Sequence, residues 1–283
     1  MIQIKGRGAI YGEVWYEEEP PRNSGVDIIE YRQRATPIAD ARYTPFLSLV
    51  TDLAGGEEAI TEKFAKDCRY KIRRASKDEL YMEFITEPES RLDEFIKFFD
   101  TFARQKSLPP SDRQWLVAAC KVHQVALSSV SINGEVLVWH AHVLSGKRAG
   151  LLRSASCFRD KGNDYRALVG RANRWLHLKD LLQFKAIGME CYDWGGIFDD
   201  DSTPERAGIN NFKRSFGGRE ERTYHCSVPV TTTGRIWLPL RDAWRRRKSL
   251  GDLRDFVFWR QSANDGHPTS ETATLSKASA DQP

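Results

Sequence analysis

"CYDWGGIFDDD", Cys191–Asp201, sets two aromatics around an aspartate, follows them with a glycine pair and then with an acidic cluster. Cys191–Trp194 reads as a buried strand near its end. A carboxylate and two residues without Cβ atoms at such an end mark a point where the backbone turns aside or lets another group pass close against it. Immediately afterwards Ser202 and Glu205 read as a capping box with Pro204 in the first turn, opening a helix through "ERAGINNFKRSF" to Gly217-Gly218. A last strand, "RTYHCSVPV", follows.

On the N-terminal side the pattern is equally regular. A long helix over Tyr165–Ile187 turns Leu168, Ala172, Trp175, Leu176 and Leu182 inward and ends at Gly188, which suits a left-handed cap. Before it, "QVALSSVSI", "EVLVWHAHVL" and "AGLLRSAS" are joined by Asn133-Gly134 and by Ser145-Gly146-Lys147, the signature of an antiparallel meander. Further back, "SRLDEFIKFFDTFARQKS" is an amphipathic helix stopped by Pro109 and Pro110, and a short helix over Ser111–Val122 follows it. "ELYMEFIT" is a strand. Phe64, Cys68, Ile72 and Ala75 share one helical face, with Arg69 and Arg73 in the adjacent row. Residues 1–55 are β-rich. This order predicts an α+β fold, a mostly antiparallel sheet with one parallel junction, flanked by helices. The end of the "YDWGG" strand then lies where ligands tend to bind, outside a carboxyl end at a change of strand direction.

The chain has 283 residues, 40% of them hydrophobic, ample for a packed core. No stretch approaches the ~20 apolar residues of a spanning helix, and "MIQIKGRGAI" lacks a signal-peptide layout, so the cytoplasm is the expected location. Cys68, Cys120, Cys157, Cys191 and Cys226 are odd in number and form no C-x-x-C pair, which reads as free thiols rather than a disulfide or zinc framework. Lys and Arg number 43 against 39 Asp and Glu, a net charge of +4, and cluster in "CRYKIRRASK", "FKRSFGGREER" and "RDAWRRRKS". Residues 231–260 mix arginines with Trp244, Leu250, Leu253, Phe256 and Trp259. Such a segment suits an anionic membrane surface or tRNA phosphates, and equally an apolar stripe packed on the domain. Residues 261–283 are too polar to fold and read as a tail.

"RYKIRRA" (Arg69–Ala75), "ANRWLH" (Ala172–His177), "KAIGMECYDWGG" (Lys185–Gly196) and "INNFKRSFGG" (Ile209–Gly218), in this order of elements, resemble the GNAT acyltransferase fold and, within it, the Fem-type aminoacyl transferases and their single-domain relatives. The resemblance covers about residues 56–230, the expected acyltransferase domain. Residues 1–55 resemble a shortened remnant of the first of two GNAT-like halves in larger members. The resemblance implies transfer of an aminoacyl group from charged tRNA, or of another acyl group, onto an amine of an envelope precursor, amino sugar or similar acceptor, with no cofactor required. It implies that Lys213, of the pair Phe212-Lys213, stabilises the tetrahedral intermediate, and that Arg69 and Arg73 bind acceptor phosphates. "RDKGND", Arg159–Asp164, stands where acetyl-CoA enzymes cradle pyrophosphate, and its closing aspartate would repel phosphate; this favours aminoacyl-tRNA over acyl-CoA as donor.

The residues themselves keep alternatives open. Asp193 can orient or deprotonate the attacking amine, or tie down backbone N–H groups at the strand end. Gly195 and Gly196 let substrate pass or merely make the turn, between Tyr192, Trp194 and the helix residue Asn173. His177 reaches the cleft or only faces the helix's core side. His140 and His142 project from one face of their strand but show no third metal ligand, so no metal is expected. Ser154 and Ser156 lie near a strand end without a histidine partner of readable spacing; Ser154 is kept as substrate-binding. An acyl-CoA-dependent N-acyltransferase and a non-catalytic RNA-binding module are the alternative functions.

Overall fold

A computed structural model of the protein describes residues 1–6, 8–158 and 161–249, with the backbone alone for 245–249. Arg159 and Asp160 of the "RDKGND" loop, residues 250–260 of the basic aromatic segment and the tail over 261–283 lie outside the described residues.

The quoted strand, β9 (Cys191–Gly196), lies deep within a ten-stranded sheet. From one edge the sheet runs β1 (Ile2–Lys5), β2 (Ile10–Trp15), β3 (Ile28–Arg34), β10 (Arg219–Pro229), β4 (Arg42–Asp52), β9, β8 (Arg148–Ser156), β7 (Glu135–Ser145), β6 (Val125–Ile132) and β5 (Tyr81–Ile85). The fold is α+β, GNAT-like and mostly antiparallel, with helices on its flanks. Sequence reading anticipates one parallel junction, and the structure has a second. Besides β8 with β9, β2 runs parallel to β3, because Asp27 returns to bond the Ile10 carbonyl before the chain enters β3. Residues 1–55 supply β1–β4, and β4 sits between β10 and β9 at the heart of the sheet.

Alternation along the central strands sorts side chains between two layers. Trp139, Ala141 and Val143 of β7 join Phe95, Phe99 and Phe102 of α3 (Leu92–Gln105) and Leu116 of α4 (Arg113–Lys121) on one face. Ile2, Trp15 and Tyr16 complete that layer. On the other face Tyr192, Trp194 and Leu151 meet Cys68 and Ile72 of α2 (Lys66–Ala75), Leu178, Leu181 and Phe184 of α5 (Asn163–Ala186), and Phe212 of α6 (Pro204–Arg214). The helical face expected from Phe64, Cys68, Ile72 and Ala75 is buried throughout, with the short α1 (Glu57–Thr61) preceding it.

The turns follow their chemistry. Asn133 and Gly134 both have positive φ, 50° and 81°, as a tight hairpin requires. Gly188 closes α5 at φ 87°. The cap of α6 differs from the expected Ser202–Glu205 box: Thr203 is the cap, its side chain accepting from the Arg206 N–H, and Ser202 instead bonds Asp200 through its own N–H. Pro204 fills the first helical position, where no N–H is needed.

Candidate active site

The parallel pairing of β8 and β9 runs through Arg148–Cys191, Ala149–Tyr192 and Gly150–Asp193 and stops there, although both strands continue. Beyond it each strand stays paired on its outer side only, β8 with β7 and β9 with β4. Each also breaks register at this point: Leu152 is an extra residue on β8 opposite Ala141–His142, and Trp194-Gly195 oppose Leu49 alone. A bulge adds local twist and bends its strand. Two bulges, one on each side of the line of parting, open a wedge between Leu151–Ser156 and Trp194–Gly196.

The "DWGG" signature builds one side of this wedge. Gly195 stands at φ 72°, a left-handed conformation that favours glycine, and its N–H donates to Asp193 Oδ1 at 2.7 Å. Asp193 is fully buried. Its Oδ2 accepts from Arg148 Nη2 at 2.7 Å and from the Ser48 hydroxyl at 3.4 Å. Arg148 also pairs with Glu221 and lies 4.4 Å over the Tyr16 ring. A Cβ built on Gly150 would come within 2.1 Å of the Tyr16 hydroxyl, so the first β-rich segment closes against the wedge's apex. Burial raises the Asp193 pKa, opposed by Arg148, by the Gly195 N–H and by Lys213. Both carboxylate oxygens are engaged in holding the bulge.

Lys213 reaches the far end of the same strand. It is fully buried, and its Nζ donates to the Gly196 carbonyl oxygen at 2.6 Å. Burial lowers its pKa to about 7, with Asp193 pulling the other way. The phenyl rings of Phe212 and Phe216 lie 5.4 Å apart, and Trp194 stacks on Phe216 at 4.4 Å, so apolar surface surrounds the strand end that holds the amine. Arg174 lies 4.9 Å over Phe212.

A polar cluster fills the space between sheet and α5. His140 Nδ1 meets Asp180 Oδ2 at 2.6 Å, and His140 Nε2 meets Asn173 Oδ1 at 2.8 Å. His177 stacks on His140 at 4.1 Å, and neither of its ring nitrogens has a hydrogen-bond partner among the described residues. Burial pushes its pKa well below the usual imidazole range, helped by His140, His142, Arg174 and Lys213. His142 Nε2 lies 3.1 Å from the Tyr192 hydroxyl, and burial pulls the His142 pKa to about 4. Ser154 Oγ donates to Asn173 Oδ1 at 3.5 Å.

Donor atoms of His140, His177 and Asp180 lie within 4.8 Å of one another, the spacing of a metal set. The ring planes argue against a shared ion: imidazole lone pairs lie in plane, whereas these rings are stacked at 26°, and both His140 nitrogens already have oxygen partners.

Lys213, Phe212, Asp193, Tyr192, Trp194, Gly195 and Gly196 thus gather on β9 and α6, and Asn173 and Ser154 approach from α5 and β8. Arg69 and Arg73 do not close around Lys213. They are exposed on α2, which begins beside the end of α6 through the bond from Ala65 N–H to the Ser215 carbonyl. Asp164, expected to close the loop before a helix from Tyr165, lies in the first turn of α5, which starts at Asn163. Sequence reading misses Arg148, Tyr16 and Glu221, which long-range folding alone brings to Asp193. It also misses Asp180, although Asn173, His177, Asp180 and Phe184 form a legible stripe at helical spacing.

No protein-family model matches this chain, and no curated protein matches it. Similar solved structures exist. FemX aligns at 14% identity and a TM-score of 0.53, over 64% of this chain and 61% of its own. The C-terminal domain of a putative lysylphosphatidylglycerol synthetase from Agrobacterium fabrum aligns at 14% identity and a TM-score of 0.48, over 76% and 72%. L-PGS from Bacillus licheniformis aligns at 12% identity and 0.47, over 70% and 67%. The chain spans about three fifths of FemX's length. The likeness to FemX is one of fold, the GNAT-like fold that the sequence resembles.

Proposed function

We propose that the protein is an acyltransferase that moves an aminoacyl or other acyl group onto an amine, with the wedge between β8 and β9 as the reaction site. The observation that carries this reading is the fully buried Lys213, its ammonium fixed on Gly196 O at the end of a parted strand. Acyl transfer creates a negative oxygen in the transition state. A cation held in a water-excluded setting stabilises that charge more than water would, and removing one such donor costs about 10²–10³ in rate.

The neighbouring residues take supporting parts. Phe212 and Trp194 keep water from the amine, and Gly195-Gly196 leave the strand end open to an acyl chain. Asp193 positions the bulge rather than serving as base, because its oxygens are already occupied by Arg148, Ser48 and the Gly195 N–H. Arg69 and Arg73, exposed on α2, suit the phosphates of a charged tRNA or of a diphosphate-linked acceptor. Asp164 at the start of α5 disfavours a pyrophosphate there, which supports aminoacyl-tRNA over acyl-CoA. No helix among the described residues is long and apolar enough to cross a membrane. On this reading, contact with an anionic membrane face falls to α7 (Thr232–Ser249), where Ile236, Leu240 and Trp244 are exposed.

The test is a transfer assay with purified protein, a panel of charged tRNAs and acyl-CoAs, and amine acceptors including amino sugars and envelope precursors. Product with one donor class, lost in Lys213→Met, supports the reading and names the donor. Salt-sensitive tRNA binding without product from any donor favours the RNA-binding alternative.

A further inference from the structure

Beside the wedge lies a set of side chains that direct transfer leaves unused. His140 on β7 and Ser154 on β8 are directly opposed across the antiparallel pair. Residues so paired have Cβ atoms about 4.5–5.5 Å apart on one face of the sheet. Asp180 holds His140 Nδ1 at 2.6 Å, which fixes the ring and turns Nε2 away from it. Both His140 and Asp180 are fully buried, while Ser154, on the part of β8 that has left β9, is only half-buried. Asn173 Oδ1 contacts both side chains, at 2.8 Å from His140 Nε2 and 3.5 Å from Ser154 Oγ.

We propose that Ser154, His140 and Asp180 form an acyl-capturing centre covered by Asn173, in which the serine takes up the acyl group before the amine acceptor does. This rests on the wedge being an acyl-transfer site. A carboxamide carries a donor and an acceptor on one pivot, so a half-turn of Asn173 pairs His140 Nε2 whether or not that nitrogen bears a proton. With Nε2 unprotonated and Asn173 displaced by the donor, serine and imidazole meet as nucleophile and base, the aspartate orienting the ring. His177, stacked on His140, places an uncharged ring beside it.

The chemistry balances without a co-reactant. Ser154 Oγ bonds to the acyl carbon and its proton passes to His140 Nε2; the bond from the acyl carbon to the donor's oxygen or sulfur breaks, and that atom takes the proton from His140. A neutral amine then attacks the serine ester, the bond to Oγ breaks, and the amine's proton returns through His140 to Ser154.

The experiment uses the full chain with the p-nitrophenyl ester of N-acetylglycine and, separately, an alkyl fluorophosphonate, read by intact mass and peptide mapping. The expected result is one adduct on Ser154, absent in Ser154→Ala, at least 100-fold slower in His140→Gln, and retained by Ser154→Cys as a thioester, which shows that the site still folds. No adduct on the wild type, an adduct elsewhere, or an undiminished adduct in Ser154→Ala overturns the proposal. The transfer assay separates the two readings: full transfer by Ser154→Ala keeps Lys213-assisted direct transfer and removes the serine step. A Ser154 adduct in a protein that accepts neither tRNA nor CoA donors keeps the serine step and removes the donor reading.

Discussion

Lys213 Nζ donates to the Gly196 carbonyl oxygen at 2.6 Å, which fastens a buried amine to the last residue of the strand that carries Asp193. Burying an ammonium costs free energy that packing elsewhere must offset. Lys213→Met is expected to lower transfer at least 100-fold while making the fold more stable by about 1–3 kcal/mol. The folded pKa, about 7, lies below the ordinary 10.5, so the burden of charging this group is full below pH 7 and fades as pH rises toward 10.5. Urea midpoints at pH 6 and pH 10 should therefore show a larger gain for Lys213→Met at the lower pH.

Gly195 holds φ 72° in the β9 bulge. An L-residue there costs about 1–2 kcal/mol. Gly195→Ala should lower the denaturation midpoint accordingly and reduce transfer, since the bulge sets the wedge's width. Thermal melts beside the transfer assay check both parts.

Arg148 and Asp193 are partners in a pair that is fully buried on the aspartate side. Arg148→Ala leaves an uncompensated buried carboxylate and is expected to destabilise by about 3–5 kcal/mol. Lys71→Ala, which breaks the exposed helical pair with Asp67, should change stability by less than about 0.5 kcal/mol. Equilibrium urea unfolding of the two variants makes the comparison.

Burial pulls the His142 pKa to about 4 and that of His177 well down from 6.5. Between pH 6.5 and 4 the unfolded chain therefore takes up protons that the folded one refuses, and stability falls as pH drops through that window. His142→Gln should flatten this slope by about 1–3 kcal/mol across the window, as measured by unfolding at half-unit pH steps.

On the C-terminal helix α7 (Thr232–Ser249), Trp237 donates to the Tyr11 hydroxyl and Leu238 is buried, while Ile236, Leu240 and Trp244 are exposed at 62%, 55% and 52%. That stripe runs directly into Arg245–Lys248 in sequence. Vesicles containing anionic lipid should retain the protein in flotation, neutral vesicles should not, and Ile236→Glu/Leu240→Glu should release it.

Elements governed by local rules are legible in the sequence. The meander came from Asn133-Gly134, the α5 terminus from Gly188, and the Lys213 helix from Pro204 and its spacing to Gly217-Gly218. The convergence of Phe212-Lys213 on "YDWGG" is implied by the resemblance to the Fem-type transferases rather than by local rules, and the bond from Lys213 to Gly196 shows the two elements meeting. What the sequence withheld depends on distant pairing. The partnership of Arg148 with Asp193 requires β8 beside β9, and the closure of Tyr16 on Gly150 requires the first strands to curl back onto the sheet. Ser154 reads as lacking a histidine, and its hydroxyl meets Asn173; that His140 is opposed to it across a strand pair, with Asp180 delivered from a helix, depends on the same distant pairing.

The most direct test of the buried amine needs no substrate. Protein labelled with carbon-13 at lysine Cε, with Lys213→Met to assign the resonance, is titrated by NMR from pH 5 to pH 11. A Lys213 transition centred near pH 7, apart from the exposed lysines, is the predicted result; a transition above pH 10 together with theirs would contradict the account.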